Sequence, residues 1–398
     1  MTGVQPRQRG AILPIVAVAM FSLLAISGLA MDFGHVYVGR SSLQNGLDAA
    51  ALSAAKSVNN GMSTDQASSD GITTFNQHLN GVLVDQTLVP TFEYSQTLVP
   101  FVAGAVQPDA RYVRASINNL TIPTTLLRVV PGVGDALVLG STAVAGPIPV
   151  GNADEGETCD LVPLMACGDP DAGCDEESCF GYDVVDGISP DDTTITLKTG
   201  SQNNNDWQVG PGNFQLVELE CGPGGDCVRQ ELAGSGTGCF DNSEGFIQTK
   251  PGNTVGPTAQ GFNTRFGQYQ GPVSSAEYPP DVITGSMPYH RYLADLDSGL
   301  LNHEPRPDGP GVPGRRILAV PIGNCTGTTN GSGTVERLGI GCFFMTEPAT
   351  HKGNTQEIVG QFVADCQAEG AIAPNPGSGP STTTFKIVLY KDPDTNDT

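Results

Sequence analysis

Ala11–Met31 reads AILPIVAVAMFSLLAISGLAM, an apolar run without a single charged residue. At 1.5 Å per residue a helix of that length spans roughly 30 Å, the hydrocarbon thickness of a bilayer. A transmembrane helix is the reading that follows. Arg7 and Arg9 precede the run, residues 1–10 hold no acid, and Asp32 is the first charge beyond it. The positive-inside rule then leaves residues 1–10 in the cytoplasm and exports everything after Met31. The competing reading is a secretory signal peptide cut after Ala30, where Gly28-Leu29-Ala30 supplies small residues. A cleavable apolar region usually covers only about 7 to 15 residues, and this one is longer.

The helical pattern also runs past the apolar stretch. Phe33, Val36, Tyr37, Leu43, Leu47, Ala50, Ala51, Ala54, Ala55 and Val58 recur at intervals that place them on one stripe, so the helix is expected to continue to about Val58. Asp48-Ala49-Ala50-Ala51-Leu52-Ser53-Ala54-Ala55 offers small side chains that allow close approach of another backbone. That face either packs on the protein's own sheet or meets like helices of other subunits.

Three pieces of this segment, Arg9-Gly10-Ala11-Ile12, Gly28-Leu29-Ala30-Met31-Asp32-Phe33-Gly34-His35-Val36-Tyr37 and Leu43-Gln44-Asn45-Gly46-Leu47-Asp48-Ala49-Ala50-Ala51-Leu52-Ser53-Ala54-Ala55, follow one another in a specific order. Together they resemble the N-terminal segment of TadE/TadG-like proteins of the tight-adherence (Flp) pilus assembly system. The resemblance covers about the first 58 residues. It implies a membrane-anchored, pilin-like accessory protein facing the periplasm, with the inner membrane and other pilus subunits as partners and surface adherence as its role. Gly10 and Ala30 are the two candidate processing positions, but the fifth residue after Gly10 is Ile15 rather than the Glu of prepilin-type sites. The Asp-x-Ser-x-Ser motif of von Willebrand A domains, found in longer relatives, has only a poor counterpart in Asp241-Asn242-Ser243-Glu244-Gly245. A metal-dependent adhesion site of that type is not expected.

Composition bounds the remainder. Gly and Pro total 81 of 398 residues, which favours short strands and turns over a helical bundle. Of the net charge of −23, residues 1–150 carry 7 basic against 8 acidic residues, so residues 151–398 carry 12 against 34. That asymmetry puts a domain boundary near Gly151. It also speaks against nucleic acid, whose phosphates require Lys and Arg clusters, and against docking on anionic lipid. All ten cysteines lie beyond the boundary: Cys159, Cys167, Cys174, Cys179, Cys221, Cys227, Cys239, Cys325, Cys342 and Cys366. An even number confined to the exported part reads as disulfides, and no Cys-x-x-Cys pair suggests zinc. Local turn chemistry suggests Cys221 with Cys227, Cys159 with Cys167, and Cys174 with Cys179.

Along the chain, Ser63-Thr64-Asp65-Gln66 has the form of a capping box ahead of Ile72, Phe75 and Leu79, predicting a helix over 64–79. Gln86-Thr-Leu-Val-Pro90 repeats as Gln96-Thr-Leu-Val-Pro100, and each copy reads as an edge strand ended by Pro. Arg111–Thr121 and Ala136–Ala145 read as strands, with one or two helical turns over Thr124–Val130. Strands are also expected over Thr193–Lys198, Phe214–Glu220, Arg316–Ile322, Leu338–Met345 and Thr384–Tyr390, with a helix within Pro251–Phe266 and a surface loop over Ser298–Gly314.

The expected fold class is α+β. A long N-terminal helix (transmembrane over 11–31) packs on a small antiparallel sheet in a pilin-like domain, 32–150, followed by an acidic, cysteine-rich, mainly β domain, 151–398. Between Gly151 and Asp192 there are 13 acidic residues and no Lys or Arg. Within that run Asp169, Asp171, Asp175 and Glu177 have the alternate spacing of calcium-loop ligands but lack the Gly at position six and the Glu at twelve. Asp392-Pro-Asp394-Thr-Asn396-Asp397 is a weaker candidate of the same kind. No His-Glu-x-x-His or Gly-x-Ser-x-Gly motif occurs, and His290 with Asp295 and Asp297 makes a triad only on paper. The sequence therefore points to a non-enzymatic pilus-assembly component without a cofactor, with a glycan- or cation-binding adhesin as the alternative.

Overall fold

A computed structural model describes residues 12–79, 83, 88–123, 136–150, 157–174, 177–199, 213–218, 224–234, 239–241, 244–252, 254–300, 311–326, 333–352, 355–370 and 383–394. The protein is α+β. Helix α1 runs without a break over Ile12–Asn59, and its 48 residues make a rod of about 72 Å. Helix α2, Thr64–His78, starts where the capping pattern placed it: the Ser63 hydroxyl accepts a hydrogen bond from the Gln66 backbone N–H at 3.3 Å.

The second half of α1 lies on a five-stranded sheet. In spatial order its strands are β1 (Thr91–Ser95), β2 (Tyr112–Pro123), β3 (Ala136–Pro149), then Thr383–Tyr390 and Asp365–Gln367. All neighbours are antiparallel except the last pair. In β2 a bulge at Asn118-Asn119 shifts the register between Ile117 and Leu120. The extra residue keeps the apolar face turned inward: Val113, Ala115 and Ile117 are buried before it, and Leu120 and Ile122 after it. Leu43, Leu47, Ala50, Ala51, Ala54 and Ala55 of α1 are all 0% exposed in this core. The alanines permit close approach, and an added Cβ at Gly71 of α2 would stand 3.1 Å from the Ala50 carbonyl oxygen. The small-residue face of α1 is thus used within the chain. Phe33 and Tyr37, assigned to the same stripe by spacing, are instead 62% and 76% exposed.

Polar groups fix the helix on the sheet. Gln44 donates to the Thr142 carbonyl at 3.2 Å and accepts from the Ser141 hydroxyl, and Asn59 donates to the Arg111 carbonyl at 2.8 Å. Among the described residues, Leu88–Pro90 of the first copy and all of the second form no strand. The edge strand β1 is the segment between them, where Tyr94 is buried, and the described part of the second copy is a turn. Gln86 and Thr87 of the first copy and the helical turns expected over Thr124–Val130 lie outside the described residues.

The remaining chain builds a second sheet centred on the antiparallel pair Ile317–Asn324 and Thr334–Met345, with Thr355–Val363 beside the latter. Helices α3 (Gly225–Ala233) and α4 (Val255–Asn263) pack on each other over its apolar core, and α5 (Tyr289–Asp297) covers a further cluster. That cluster includes Met62, from the α1–α2 turn, beside Val150, Tyr292 and Phe344, so the N-terminal and distal parts share a core at their junction. Strand Thr383–Tyr390 crosses the division expected at Gly151, pairing with β3 from Phe385↔Pro149 to Tyr390↔Val144.

Candidate functional site

From Pro14 to Met31 the only polar side chains are Ser22 and Ser27. Each hydroxyl donates to the carbonyl four residues earlier, to Val18 at 2.9 Å and to Leu23 at 2.8 Å. The polar atoms are therefore satisfied inside the helix, as a lipid surround demands. Around them Ile15, Val18, Met20, Phe21, Leu23, Ile26 and Met31 are 60–72% exposed. This half of α1 is long and apolar enough to span a bilayer and is almost wholly uncovered by the rest of the chain.

A second feature is a cleft of ≈ 580 Å³ where the end of α1 meets the distal part. Lys56, Asn60, Gln107 and Arg111 line one side, and Asp186, Arg265, Arg315 and Asp365 are among the residues opposite. Cross-links hold the two walls together: Arg111 pairs with Asp365, Asn60 donates to the Pro313 carbonyl at 3.2 Å, and Gln367 donates to Asn60 at 2.6 Å. Behind the wall lies a buried charge cluster. Arg316, 0% exposed, donates to the carbonyls of Met345, Thr346 and Gly285 at 2.7–3.0 Å and stacks against Phe266 and Phe344, 4.6 Å from each ring centre. Its counterion is Asp281, which accepts from the backbone N–H groups of Ile283 and Arg316 and from the Tyr292 hydroxyl. Burial pushes the Asp281 carboxyl up to about 6 and brings Arg316 down to about 10.

The comparison with known families settles the N-terminal segment. Residues 10–57 match the model of the Flp pilus-assembly TadE/G-like family. This segment is TadE/G-like. The matched stretch is α1 almost in full, both the uncovered half and the half that builds the core. No curated protein and no solved structure matches the chain.

Beyond the TadE/G-like segment, the cysteines pair mostly over long separations. Cys159 is bonded to Cys239 and Cys167 to Cys325, 80 and 158 residues apart, rather than to each other as local reading suggested. Cys174 is bonded to Cys179, and Cys342 to Cys366, the latter tying the distal sheet to the edge of the N-terminal one. Cys227 is disulfide-bonded, while Cys221 lies outside the described residues. Among the described residues no cysteine is free.

The calcium-like spacing belongs to a turn. The Asp169 carboxylate accepts the Asp171 backbone N–H at 2.9 Å, Glu177 is exposed across the Cys174–Cys179 bridge, and Asp175 lies outside the described residues. The described residues bring one trio of ligand-type side chains together, Glu157, Cys159 and Cys239, and its two cysteines are bonded to each other. At Asp392 and Asp394 the cation is Arg114, at 2.8 and 2.6 Å. His290, Asp295 and Asp297 all belong to α5, and the His290 ring nitrogen accepts from the Asp191 backbone N–H at 3.4 Å. Of the candidate processing positions, Ala30 is an exposed residue within unbroken helix, and Gly10 lies outside the described residues. Sequence reading passed over Arg265, Arg315 and Asp281. The one available signal was Arg315-Arg316, a basic pair in a segment where acids outnumber bases almost threefold.

Proposed function

We propose that the protein is an accessory, minor-pilin-like subunit of Flp pilus assembly that works by anchorage and contact rather than by chemistry. The observation that carries this is the double use of α1. Its TadE/G-like sequence gives one half to the fold and leaves the other half apolar and bare. A bare apolar rod of that length needs lipid or other apolar helices around it.

Arg7 and Arg9 orient the N-terminus to the cytoplasm, so the disulfide-linked, acidic body stands in the periplasm, where disulfides persist. In this reading α1, α2 and the five-stranded sheet are the pilin-like unit, and the distal β part faces outward as the contact surface for adherence. The test is affinity purification of the full chain from detergent-solubilised membranes of cells that assemble Flp pili. The expected result is recovery from the inner-membrane fraction together with pilus subunits, with the cysteines oxidised. Recovery from the cytosol with free thiols, or from the membrane with no pilus component in any preparation, refutes the proposal.

A further inference from the structure

Strands β2 and β3 reach past the rest of their sheet. On one side β1 ends its pairing with β2 at Thr91↔Ser116, and on the other Thr383–Tyr390 ends its pairing with β3 at Tyr390↔Val144. Beyond those points β2 and β3 continue as a pair, from Ile117↔Ser141 to Pro123↔Ala136, with no flanking strand among the described residues. A two-stranded ribbon is marginal in water by itself, so its surroundings decide whether it holds. One face of this arm is held by α1: Ile117, Leu120 and Ile122 are buried, and Leu139 packs against the same core. The other face is open, with Thr121 exposed and the opposed Val138 65% exposed.

The arm points toward the membrane end of α1. Gln44 donates to the Thr142 carbonyl, which sets the level at which helix and strand meet. Ala136 lies six residues further along β3, a distance of about 20 Å. The same distance along a helix takes about 13 residues, which leads from Gln44 to Met31 for a strand parallel to α1 and a little less far for an inclined one. Burial along α1 agrees. The face that carries Leu43 and Leu47 continues toward the N-terminus through Gly39, Val36 and Asp32 at spacings of three and four, and Asp32 is 3% exposed. Phe33 and Tyr37, at the same level, are bare. Asp32 directly follows the apolar run, so the covered face of α1 ends where the span begins.

We propose that the arm formed by Ile117–Pro123 and Ala136–Ser141 stands on the outer leaflet of the bilayer that α1 crosses, as a second membrane contact beside the helix. This rests on the membrane span proposed above. Phe33 and Tyr37 complete the contact, because aromatic side chains favour the headgroup level. The arm suits a lipid surface in its charge as well: Ala115–Pro123 and Ala136–Pro149 hold no charged residue in a chain of net charge −23. Anionic headgroups repel the acidic distal part but not the arm. Its unpaired strand edges need water or headgroup partners, which places it on the membrane surface and outside the hydrocarbon. One contact alone leaves the body free to swing about α1, and the second fixes its tilt.

The test is tryptophan fluorescence of the full chain with Trp207, its one tryptophan, replaced by Phe. The protein is reconstituted in phosphatidylethanolamine–phosphatidylglycerol vesicles whose lipid is brominated either just below the headgroup or near the chain ends. Single tryptophans go to exposed positions: Val138→Trp on the arm, Val18→Trp in the span, and Val102→Trp at the opposite end of the sheet, where the Val102 N–H donates to Ser95. Val138→Trp is expected to lose more emission to the shallow bromine than to the deep one, Val18→Trp to show the reverse order, and Val102→Trp to lose none. Thr121→Trp reads the same level from the other strand and decides where Val138→Trp fails to fold. Quenching of Val18→Trp with none at either arm position overturns the proposal and leaves the span standing. Stronger deep than shallow quenching on the arm, or equal quenching of the arm and Val102→Trp, overturns it too. Absence of quenching at Val18→Trp removes the span, and the arm contact with it.

Discussion

Removing the Cys167–Cys325 bond by replacing both residues with alanine opens a loop of 158 residues, whereas the same operation at Cys174–Cys179 opens one of 5. The stabilisation a cross-link gives by restricting the unfolded chain grows with the logarithm of loop length. At 25 °C that relation gives about 5 kcal/mol for the long loop and about 2 kcal/mol for the short one. Counting the Cys159–Cys239 bond as a shortcut shortens the long loop to about 95 residues and leaves the figure near 5 kcal/mol. Cys167, Cys325 and Cys179 are each at most 5% exposed and Cys174 is half-buried, so the difference in buried sulfur adds to the larger cost of the first variant. The expected gap is therefore about 3 kcal/mol, or several degrees in Tm for a protein of this size. Thermal unfolding of both double variants in the same detergent, without reductant, measures it. Equal losses, or a larger loss for Cys174→Ala/Cys179→Ala, would refute the assignment of Cys167–Cys325 as the stabilising long-range bond.

Val18 is 66% exposed in the middle of the bare helix, so Val18→Arg is expected to cost about 2.5–3.5 kcal/mol of membrane insertion and to move protein from the membrane to the soluble or degraded fraction. Unchanged fractionation would count against the span. The Asp281 carboxyl has its pKa raised from 3.8 to about 6 in the folded state, so its contribution to stability is complete below pH 3.8 and is lost as pH rises through 6. The Tm of wild type minus that of Asp281→Asn should therefore increase from pH 7 to pH 4, by up to about 3 kcal/mol in stability terms; a difference that shrinks instead contradicts the placement of this group. Arg114→Ala leaves the Asp392 carboxylate, 1% exposed, without its cation and is expected to cost about 3–5 kcal/mol. Glu93→Gln removes only the 3.5 Å exposed contact to the same arginine and should cost under about 1 kcal/mol, with urea unfolding as the measure for both.

What the sequence made legible was local. The Ser63 cap, the α1 alanines and the alternation in β2 each act within a few residues, so spacing alone located their elements. Phe33 and Tyr37 were misplaced because spacing draws an apolar stripe without saying how far the rest of the chain covers it, and the buried hydrophobics of α1 begin only at Leu43. The QTLVP repeat misled for a related reason: its composition is strand-like, but the chain pairs through the Phe92 and Tyr94 segment between the copies. Bonds such as Cys159–Cys239 and the meeting of Arg265 with Arg315 depend on contacts far apart in the chain. Turn chemistry near each residue carries no record of them. The family resemblance extended no further than α1, which left the junction cleft without any precursor in the sequence.

The insertion of Thr383–Tyr390 beside β3 makes folding of the first half of the protein wait for residues synthesised far later. A product interrupted before Thr383 would present β3 as a naked edge on a sheet already seated against α1. Such an edge is a template for unwanted strand addition. Placing the closing strand late in the chain thus acts as a completeness check: only copies that reach Tyr390 can cover that edge, and interrupted ones leave it open.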